Sequence, residues 1–233
     1  MIATGTARRG DAVEFSILGS LSEADRRRVL SSSVRRKFGR REVLFHEADP
    51  GDTLHLIAKG RVAVRITTPA GDMATIDVVG QGEVVGTFAA LGEGRRRTAT
   101  VMALEPTETL CIDRHQFQTL RKAHPAVDQF IIDVLVATLR RVDALLLEAL
   151  YAPVELRVVR RLLDLAREYG RDAPGPNGIE IALTQQDLAE LAGTSRATAN
   201  RVLRELELAG AVSLTRNRIH VGDIAALQKR ARA

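Results

Sequence analysis

An α+β fold built from three successive zones is predicted by three features of the sequence. Residues 40 to 113 contain short alternating segments separated by glycine-containing turns, and residues 125 to 150 have one long helical pattern. Two shorter helical patterns with a glycine between them, at residues 183 to 210, are followed by a β-hairpin pattern. The expected parts are an N-terminal β domain at 1–124, a connecting helix at 125–151 and a C-terminal domain at 152–233.

Composition places the chain among globular proteins. It has 233 residues, of which 45% are hydrophobic and 27% are charged, enough for one large domain or two modest ones. The net charge of +5 suits a polyanionic partner without deciding for one. Cys111 is the single cysteine, which excludes a disulfide within the chain. Because no apolar run has the length of a signal-peptide core or a bilayer span, we expect a cytoplasmic protein.

The first zone is expected to be a barrel or sandwich of short strands. Turn-forming residues recur at 49–52, 69–72 and 80–83, where glycine tolerates positive φ and proline and aspartate favour turns. Many short strands with such turns favour this architecture over alternating strand and helix units. A helix is expected before the strands at about 22–30, with Ser22 as its N-cap.

The segment at residues 61–66 shows the strand pattern most clearly. Its side chains alternate with a period of two, as expected for a strand with one buried face. The residues expected to face inward are Val62, Val64 and Ile66, and those expected outside are Arg61 and Arg65.

The second zone is expected to be a helix of about 26 residues, or about 39 Å, that begins near Pro125. Six apolar residues recur in it at alternating spacings of three and four, which is typical of a coiled-coil seam. The predicted seam comprises Ile132, Leu135, Leu139, Val142, Leu146 and Ala149. A second apolar side comprises Phe130, Ile131, Val134 and Leu145. The helix would bury both apolar sides if one packed against the β domain and the other against the same helix of a second copy. We therefore expect a parallel homodimer. The alternative is a helix buried within one chain.

Pro153 is expected to end this helix, because proline cannot continue a helix interior and also restricts the residue before it. We place a hinge and a domain boundary there. Another amphipathic helix is expected at 157–169, followed by an exposed loop at 171–178.

Residues 183–208 predict two helices joined by a tight turn. Thr184 is expected to cap a helix that starts at Gln185, Gly193 to form the turn, and Ser195 to cap the second helix. The inward stripe of the second helix comprises Ala199, Val202, Leu203 and Leu206. The residues left on its outside are Arg196, Ala197, Asn200, Arg201 and Arg204.

An arginine-bearing outer face of this kind suits the major groove of DNA. Arginine can donate bidentately to guanine O6 and N7, and small neighbours let a helix lie deep in the groove. A basic hairpin with residues 215–218 at its tip follows directly, as the wing of a winged helix-turn-helix. We expect Arg204 and Arg218 to contact phosphates. The alternative is an exposed helix face without a partner.

Over about residues 15–228 the chain resembles the Crp–Fnr family of bacterial transcription regulators. The motifs that carry the resemblance are QGEVVGTFAALGEGRRRTATV at 81–101, the long helix, and LTQQDLAELAGTSRATANRVLRELE at 183–207 with its hairpin. The resemblance implies a cyclic-nucleotide-binding-type β-roll (a double-stranded jelly roll), a dimerisation helix and a winged helix-turn-helix. It also implies a sequence-specific DNA-binding transcriptional regulator. The expected homodimer reads an inverted repeat through the helix at about 196–209, and a small molecule in the β-roll is a candidate modulator.

The resemblance also implies roles for residues of the helix-turn-helix. Base-reading positions match Arg196, Ala197 and Arg201, and Asn200 lies on the same face. Glutamate is usual in the family where Ala197 stands. Because alanine cannot accept a hydrogen bond from a cytosine amino group, we expect a different base there, such as thymine with its methyl group. Positions that contact phosphate match Thr184, Gln186, Ser195 and Thr198.

In the β-roll, the resemblance implies a ligand pocket at Gly86, Thr87, Phe88, Arg97 and Thr98. Arg97 and Thr98 match the pair that holds the phosphate of a cyclic nucleotide, whereas Thr87 stands where a ribose-binding glutamate is usual. The stretch where the family contacts adenine also differs, reading DALLLEAL at 143–150. The effector is therefore cyclic AMP, another small ligand or none, and these alternatives stay open. An ion-paired surface role for Arg97 is also open.

Metal-based sensing and catalysis are not indicated by the sequence. A lone Cys111 cannot hold an iron–sulfur cluster, and the five histidines have no metal-ligand spacing. Nucleophile-elbow, phosphate-loop and HExxH motifs are missing from the sequence. We therefore expect neither a bound metal nor an enzymatic activity.

In activators of the family, the loop matching 171–178 contacts RNA polymerase, which makes RNA polymerase a candidate partner.

Overall fold

The computed structural model describes residues 13–68, 71, 73–92, 96–172, 178–215 and 217–231. Contacts divide the chain into two compact units. The first runs to Val142 and the second begins at Asp143, except that the short segment Asp72–Thr75 groups with the second. The division falls within the long helix. The central residues of the loop predicted at 171–178, which are 173–177, lie outside the described residues.

The strands that precede the long helix form two four-stranded sheets, which confirms the predicted double-sheet roll. The strands are β1 (Val34–Phe38), β2 (Val43–Phe45), β3 (Thr53–Lys59), β4 (Val62–Thr67), β5 (Met73–Val79), β6 (Val84–Val85), β7 (Thr100–Ala103) and β8 (Thr107–Asp113). One sheet has the order β1-β8-β3-β6 and the other the order β2-β7-β4-β5. Non-consecutive strands are thus neighbours, as in a jelly roll.

The helices of the first unit are α1 (Glu23–Ser32), α2 (Thr87–Leu91), α3 (Arg114–Ala123) and the beginning of α4 (Pro125–Tyr151). Ser22 caps α1 by accepting a hydrogen bond from the backbone N–H of Asp25, as predicted. Leu54 and Leu56 of β3, Phe117 of α3 and Val127 of α4 pack in one apolar cluster, so the start of the long helix belongs to the core of the roll.

Strand β4 is present where its pattern predicted, but its predicted faces are only partly correct, because Val62 is buried and Val64 half-buried as expected while the arginines are buried too. Arg61 is 6% exposed and Arg65 is 4% exposed, whereas Ile66 is 36% exposed. Burial of Arg61 is possible because its Nε donates to Glu105 Oε1 at 2.9 Å, which supplies the opposite charge that a buried guanidinium needs. Residues on both faces are therefore buried in the first part of the strand, and the predicted alternation of burial is absent.

Helix α4 has 27 residues and begins at Pro125, close to the predicted length and start. Val127 and Ile131 are buried, whereas the seam residues are solvent-exposed in the single chain. Five of the six are between 37% and 62% exposed. In the described part of the chain no helix has the length and apolar character to span a membrane.

The second unit contains helices around a small sheet. After the helix break at Pro153 its elements are α5 (Val154–Tyr169), β9 (Arg171–Asp172), β10 (Ile179–Ile181), α6 (Gln185–Leu191), α7 (Arg196–Leu208), β11 (Val212–Thr215), β12 (Arg218–Val221) and α8 (Ile224–Ala231). The sheet order is β11-β12-β10-β9. Helix α5 begins three residues before the predicted start at 157, because the extended backbone of Pro153 serves as its N-cap. Its predicted apolar stripe is buried.

Candidate nucleic-acid interface and effector site

The two helices of the predicted helix-turn-helix are α6 and α7, and both have the predicted caps. The Thr184 hydroxyl accepts from the backbone N–H of Asp187, whose side chain accepts from the backbone N–H of Thr184, so the pair forms a capping box. Gly193 has a φ of 59°, the left-handed conformation that a tight turn between helices requires. The Ser195 hydroxyl accepts from the backbone N–H of Thr198 at the start of α7. These caps fix where the second helix begins.

Helix α7 separates its residues into the two predicted faces. The buried side comprises Ala199, Val202, Leu203 and Leu206. On the opposite side Arg196, Ala197, Arg201 and Arg204 are exposed and Asn200 is half-buried. The Oδ1 atom of Asn200 is buried without a hydrogen-bond partner among the described residues. The helix therefore presents three guanidinium groups and an amide around a small alanine.

Arg201 is held by two carboxylates. Its Nη2 donates to Glu155 Oε1 at 2.6 Å and its Nη1 donates to Glu205 Oε1 at 3.2 Å. Glu155 lies in the first turn of α5, so one of these contacts joins two helices. The hydrogen bond from Arg201 is the main cause that lowers the pKa of Glu155, and the same contact raises the pKa of Arg201. Glu155 was missed in the sequence because it lies 46 positions from its partner.

The wing is the hairpin of β11 and β12, with Thr215 paired to Arg218 at its tip. Asn217 has a φ of 67°, a left-handed conformation that asparagine tolerates better than most residues. Arg218 is exposed and forms an ion pair with Glu180 of β10. Arg218 of the predicted basic tip is therefore already paired in the free chain, and Arg216 lies outside the described residues.

Four of the six residues predicted to contact phosphate lie at the starts of α6 and α7, namely Thr184, Gln186, Ser195 and Thr198. Thr184 and Ser195 are the caps of these helices, and Ser195 Oγ lies 3.0 Å from Thr198 Oγ1. Gln186 Nε2 donates to Glu190 Oε1 at 3.0 Å. Arg204 is exposed on α7. Hydroxyl, amide and guanidinium groups of this kind are suitable donors for a nucleic-acid backbone.

In the β-roll, Arg97 is a buried residue, so the surface alternative for it is wrong. Only 5% of the residue is exposed. Its guanidinium lies over the Phe45 ring, 3.9 Å from the ring centre, and its Nη2 donates to Thr53 Oγ1 at 2.9 Å. Nε and Nη1 are buried with no hydrogen-bond partner in the described part of the chain. Burial lowers the pKa of Arg97, and Asp52 and Asp49 oppose that shift.

Of the other predicted pocket residues, Gly86 lies against this guanidinium. A Cβ at Gly86 would be 2.5 Å from Arg97 Nη1, and its φ of 91° also favours glycine. Thr87 is half-buried, and Phe88 and Thr98 are exposed. Of the five predicted pocket residues, Gly86 and Arg97 therefore lie close together. Arg97 has two donors, Nε and Nη1, without partners among the described residues.

A buried polar cluster adjoins Arg97 and was not predicted. His55, 2% exposed, has its Nε2 atom 3.4 Å from Thr53 Oγ1, the hydroxyl that also accepts from Arg97. Its Nδ1 atom lies 3.2 Å from Thr109 Oγ1 and 3.3 Å from Cys111 Sγ. Burial lowers the pKa of His55 to about 4, with a further contribution from Arg97. Burial also raises the pKa of the Cys111 thiol. At neutral pH Arg97 is therefore the cation of this cluster.

Comparisons with known proteins identify both domains. Residues 35–124 match the cyclic nucleotide-binding domain, and residues 156–230 match the Crp-like helix-turn-helix domain. The cyclic AMP receptor protein of Thermus thermophilus is 33% identical over 201 residues, covering 86% of this chain and 89% of that protein. The CRP-like cAMP-activated global transcriptional regulator of Mycobacterium tuberculosis is 28% identical over 195 residues, covering 84% and 87% of the two chains.

A solved structure of the c-di-GMP responsive global regulator CLP of Xanthomonas campestris has the same fold. Its TM-score is 0.74 at 24% identity, and the match covers 87% of this chain and all of that one (100%). The two matched domains and the Thermus relative, which is 33% identical over 86% of this chain, cover most of its length. The chain belongs to the Crp–Fnr family of DNA-binding transcription regulators, which are not enzymes.

Proposed function

We propose that the chain regulates transcription as a homodimer that reads an inverted-repeat operator through α7. The observation that carries this proposal is the outer face of α7, where Arg196, Arg201 and Arg204 lie exposed on a helix whose other face is buried. Arginine is the residue that most often reads guanine in the major groove. The three-part division at 1–124, 125–151 and 152–233 is part of this proposal.

Base reading is assigned to four residues of α7. Arg196 and Arg201 each donate to guanine O6 and N7, and Asn200 donates to and accepts from adenine. Asn200 is half-buried on this face and its Oδ1 is buried without a partner among the described residues, so its amide must turn outward to meet the base. Ala197 has no acceptor for a cytosine amino group, so its methyl group favours thymine.

Phosphate contacts fix the register of the helix without reading sequence. They are assigned to Thr184, Gln186, Ser195, Thr198, Arg204 and Arg218. The exposed positions of Arg204 on α7 and Arg218 in the wing support two contacts of this kind. Because each such contact displaces a counterion from DNA, binding weakens as salt rises.

Dimerisation is assigned to the exposed seam of α4, which comprises Ile132, Leu135, Leu139, Val142, Leu146 and Ala149. Five large apolar side chains at heptad spacing on an exposed helix face support pairing with a second copy. Two copies of α7 would then read half-sites whose centres lie about one helical turn, ~34 Å, apart.

A small anionic effector is assigned to the β-roll, at Arg97. The buried Nε and Nη1 atoms of Arg97 support this assignment, because buried donors without a partner are costly and an oxygen of a phosphate or carboxylate could accept from one of them. The relatives include a cyclic AMP receptor protein and a c-di-GMP responsive regulator. Thr87 offers no carboxylate to a ribose, so cyclic AMP would be bound weakly.

RNA polymerase is a candidate partner of the bound dimer.

Selection of duplexes from a randomised DNA library with the purified protein tests the proposal. The selected duplex and a scrambled duplex of equal length are then titrated by fluorescence anisotropy at several salt concentrations. We expect an inverted repeat, a clear preference for it over the scrambled duplex, and weaker binding to both as salt rises. A selection that returns no common motif would contradict the proposal.

A further inference from the structure

The three arginines on the outer face of α7 differ in the free chain. Arg196 and Arg204 make no ion pair with any described residue, whereas Arg201 contacts both Glu155 and Glu205. Glu205 is a neighbour on the same helix, four residues away. Glu155 comes from α5, which packs against α7. Only the second contact therefore ties the position of this guanidinium to another helix of the domain.

The contacts leave Arg201 able to read a base. A guanidinium has five N–H donors in one plane, and the two carboxylates engage one hydrogen each on Nη1 and Nη2. Three donors, Nε–H and one hydrogen each on Nη1 and Nη2, remain for acceptors on DNA. A held fork also loses less conformational entropy on binding than a free side chain would.

We propose that Glu155 is a positioning residue that makes Arg201 selective for a base rather than for any nearby phosphate. This inference rests on the proposed base-reading role of Arg201. A free arginine at this position could swing to the DNA backbone and bind every sequence. When Glu155 holds the guanidinium of Arg201, it can bind a guanine whose two acceptors lie in the right place, but it cannot move to a phosphate. The carboxylate also repels phosphates, so a site that does not engage Arg201 is bound less well.

The chain offers a matched control for removal of this charge. Arg218 in the wing is paired with Glu180 in the same way, but its proposed partner on DNA is a phosphate. Glu180→Gln therefore removes one acid beside one arginine, as Glu155→Gln does, without freeing a residue that reads bases. The general gain in attraction to DNA should be similar in the two variants.

The test compares two dissociation constants for each dimer, one for the selected operator and one for a scrambled duplex. Their ratio is the specificity ratio. In Glu155→Gln we expect the scrambled duplex to be bound about two- to fivefold more tightly and the specificity ratio to fall by a similar factor, the size of effect measured for exposed ion pairs. In Glu180→Gln we expect both affinities to rise together and the ratio to stay unchanged.

The Arg201→Ala background separates this inference from the proposed function. There, Glu155→Gln should no longer change the specificity ratio, because the arginine it positions is gone. An unchanged ratio in Glu155→Gln alone, an equal fall in Glu180→Gln, or a fall that persists in the Arg201→Ala background would overturn the inference. If Arg201→Ala itself leaves base preference intact, the base-reading role of Arg201 has failed and the inference fails with it.

Discussion

Arg196 and Arg201 are separated by five positions on α7 and both project from its exposed face. Changing either to alanine should lower operator affinity by about tenfold to a hundredfold, because a bidentate contact to guanine is lost. Preference should relax at one base pair in each half-site. Gel-shift titration of the operator and of its single-base variants measures both effects.

The control for this prediction is a phosphate-contacting arginine. Arg204→Ala and Arg218→Ala should weaken binding to every duplex by a similar factor and reduce the dependence of affinity on salt. If Arg196→Ala or Arg201→Ala behaved in that way, without a change at one base pair, these residues would be phosphate contacts rather than base readers.

His55 makes the stability of the protein sensitive to acid. Its folded-state pKa of about 4 lies below the value of about 6.5 expected in the unfolded chain. As pH falls from 6.5 towards 4 the unfolded chain takes up a proton that the folded chain refuses, so folding stability declines. The loss by pH 4.5 should be about 2–3 kcal/mol from this residue.

Urea unfolding of the protein and of His55→Gln at pH 7 and pH 4.5 measures this loss. Glutamine keeps hydrogen-bonding capacity but does not titrate, so the variant should lose less stability between the two pH values by that amount. Other acid-sensitive groups are common to both proteins and cancel in the comparison. Equal losses in the two proteins would mean that His55 is not held neutral by its surroundings.

The sequence predicted the exposed face of α7 better than the surroundings of Arg97, for a physical reason. The exposed face of α7 follows from the period of one helix, so Arg196 and Arg201 could be placed on it from neighbours a few positions away. Of the surroundings of Arg97, only Gly86 was predicted, from the family resemblance, because Phe45 and Thr53 reach the guanidinium from other strands of the roll. The residue type alone does not reveal whether the guanidinium of an arginine is buried.

At the scale of elements, local signals located helices well and burial less well. Caps and breakers act within a few residues, so α6, α7 and the end of α4 lie where they were predicted. Val62 of β4 is buried as predicted, but burial of Arg61 just before the strand was not predicted, because it depends on Glu105, which lies 44 positions away. Alternation of side chains shows that a strand has two faces, but partners elsewhere determine which face is inside.

Helix α4 carries the predicted dimer interface, and Leu139 lies within its seam at 62% exposure. Leu139→Glu would place two like charges close together in a parallel pair and remove two apolar contacts, so dimerisation should fail. Multi-angle light scattering at micromolar concentration should report a monomer. Arg140→Glu puts the same residue one position outside the seam and should remain a dimer. A dimeric Leu139→Glu variant would show that the interface lies elsewhere.

At the scale of the whole molecule, effector control requires that a ligand bind one conformation of the dimer better than another. A ligand shifts such an equilibrium only by the ratio of its affinities for the two states. In the proposed effector site Arg97 would hold a phosphate, whereas Thr87 offers no carboxylate to a ribose. Loss of one charge-assisted hydrogen bond costs about 1.5–3 kcal/mol, or one to two factors of ten in affinity.

We therefore expect the free protein to bind its operator already, and cyclic AMP at physiological concentration to raise operator affinity by less than about tenfold. Calorimetry with cyclic AMP, beside operator titrations with and without it, measures both quantities. Thr87→Glu is the matched variant, because it restores a carboxylate beside Gly86 and should tighten cyclic AMP binding by about ten- to a hundredfold. A micromolar dissociation constant in the unmodified protein, together with a tenfold or larger gain in operator affinity, would mean that Arg97 and its neighbours suffice for a cyclic AMP switch. Weak binding in both proteins would instead direct the search towards an anion without a ribose, held by the unused donors of Arg97.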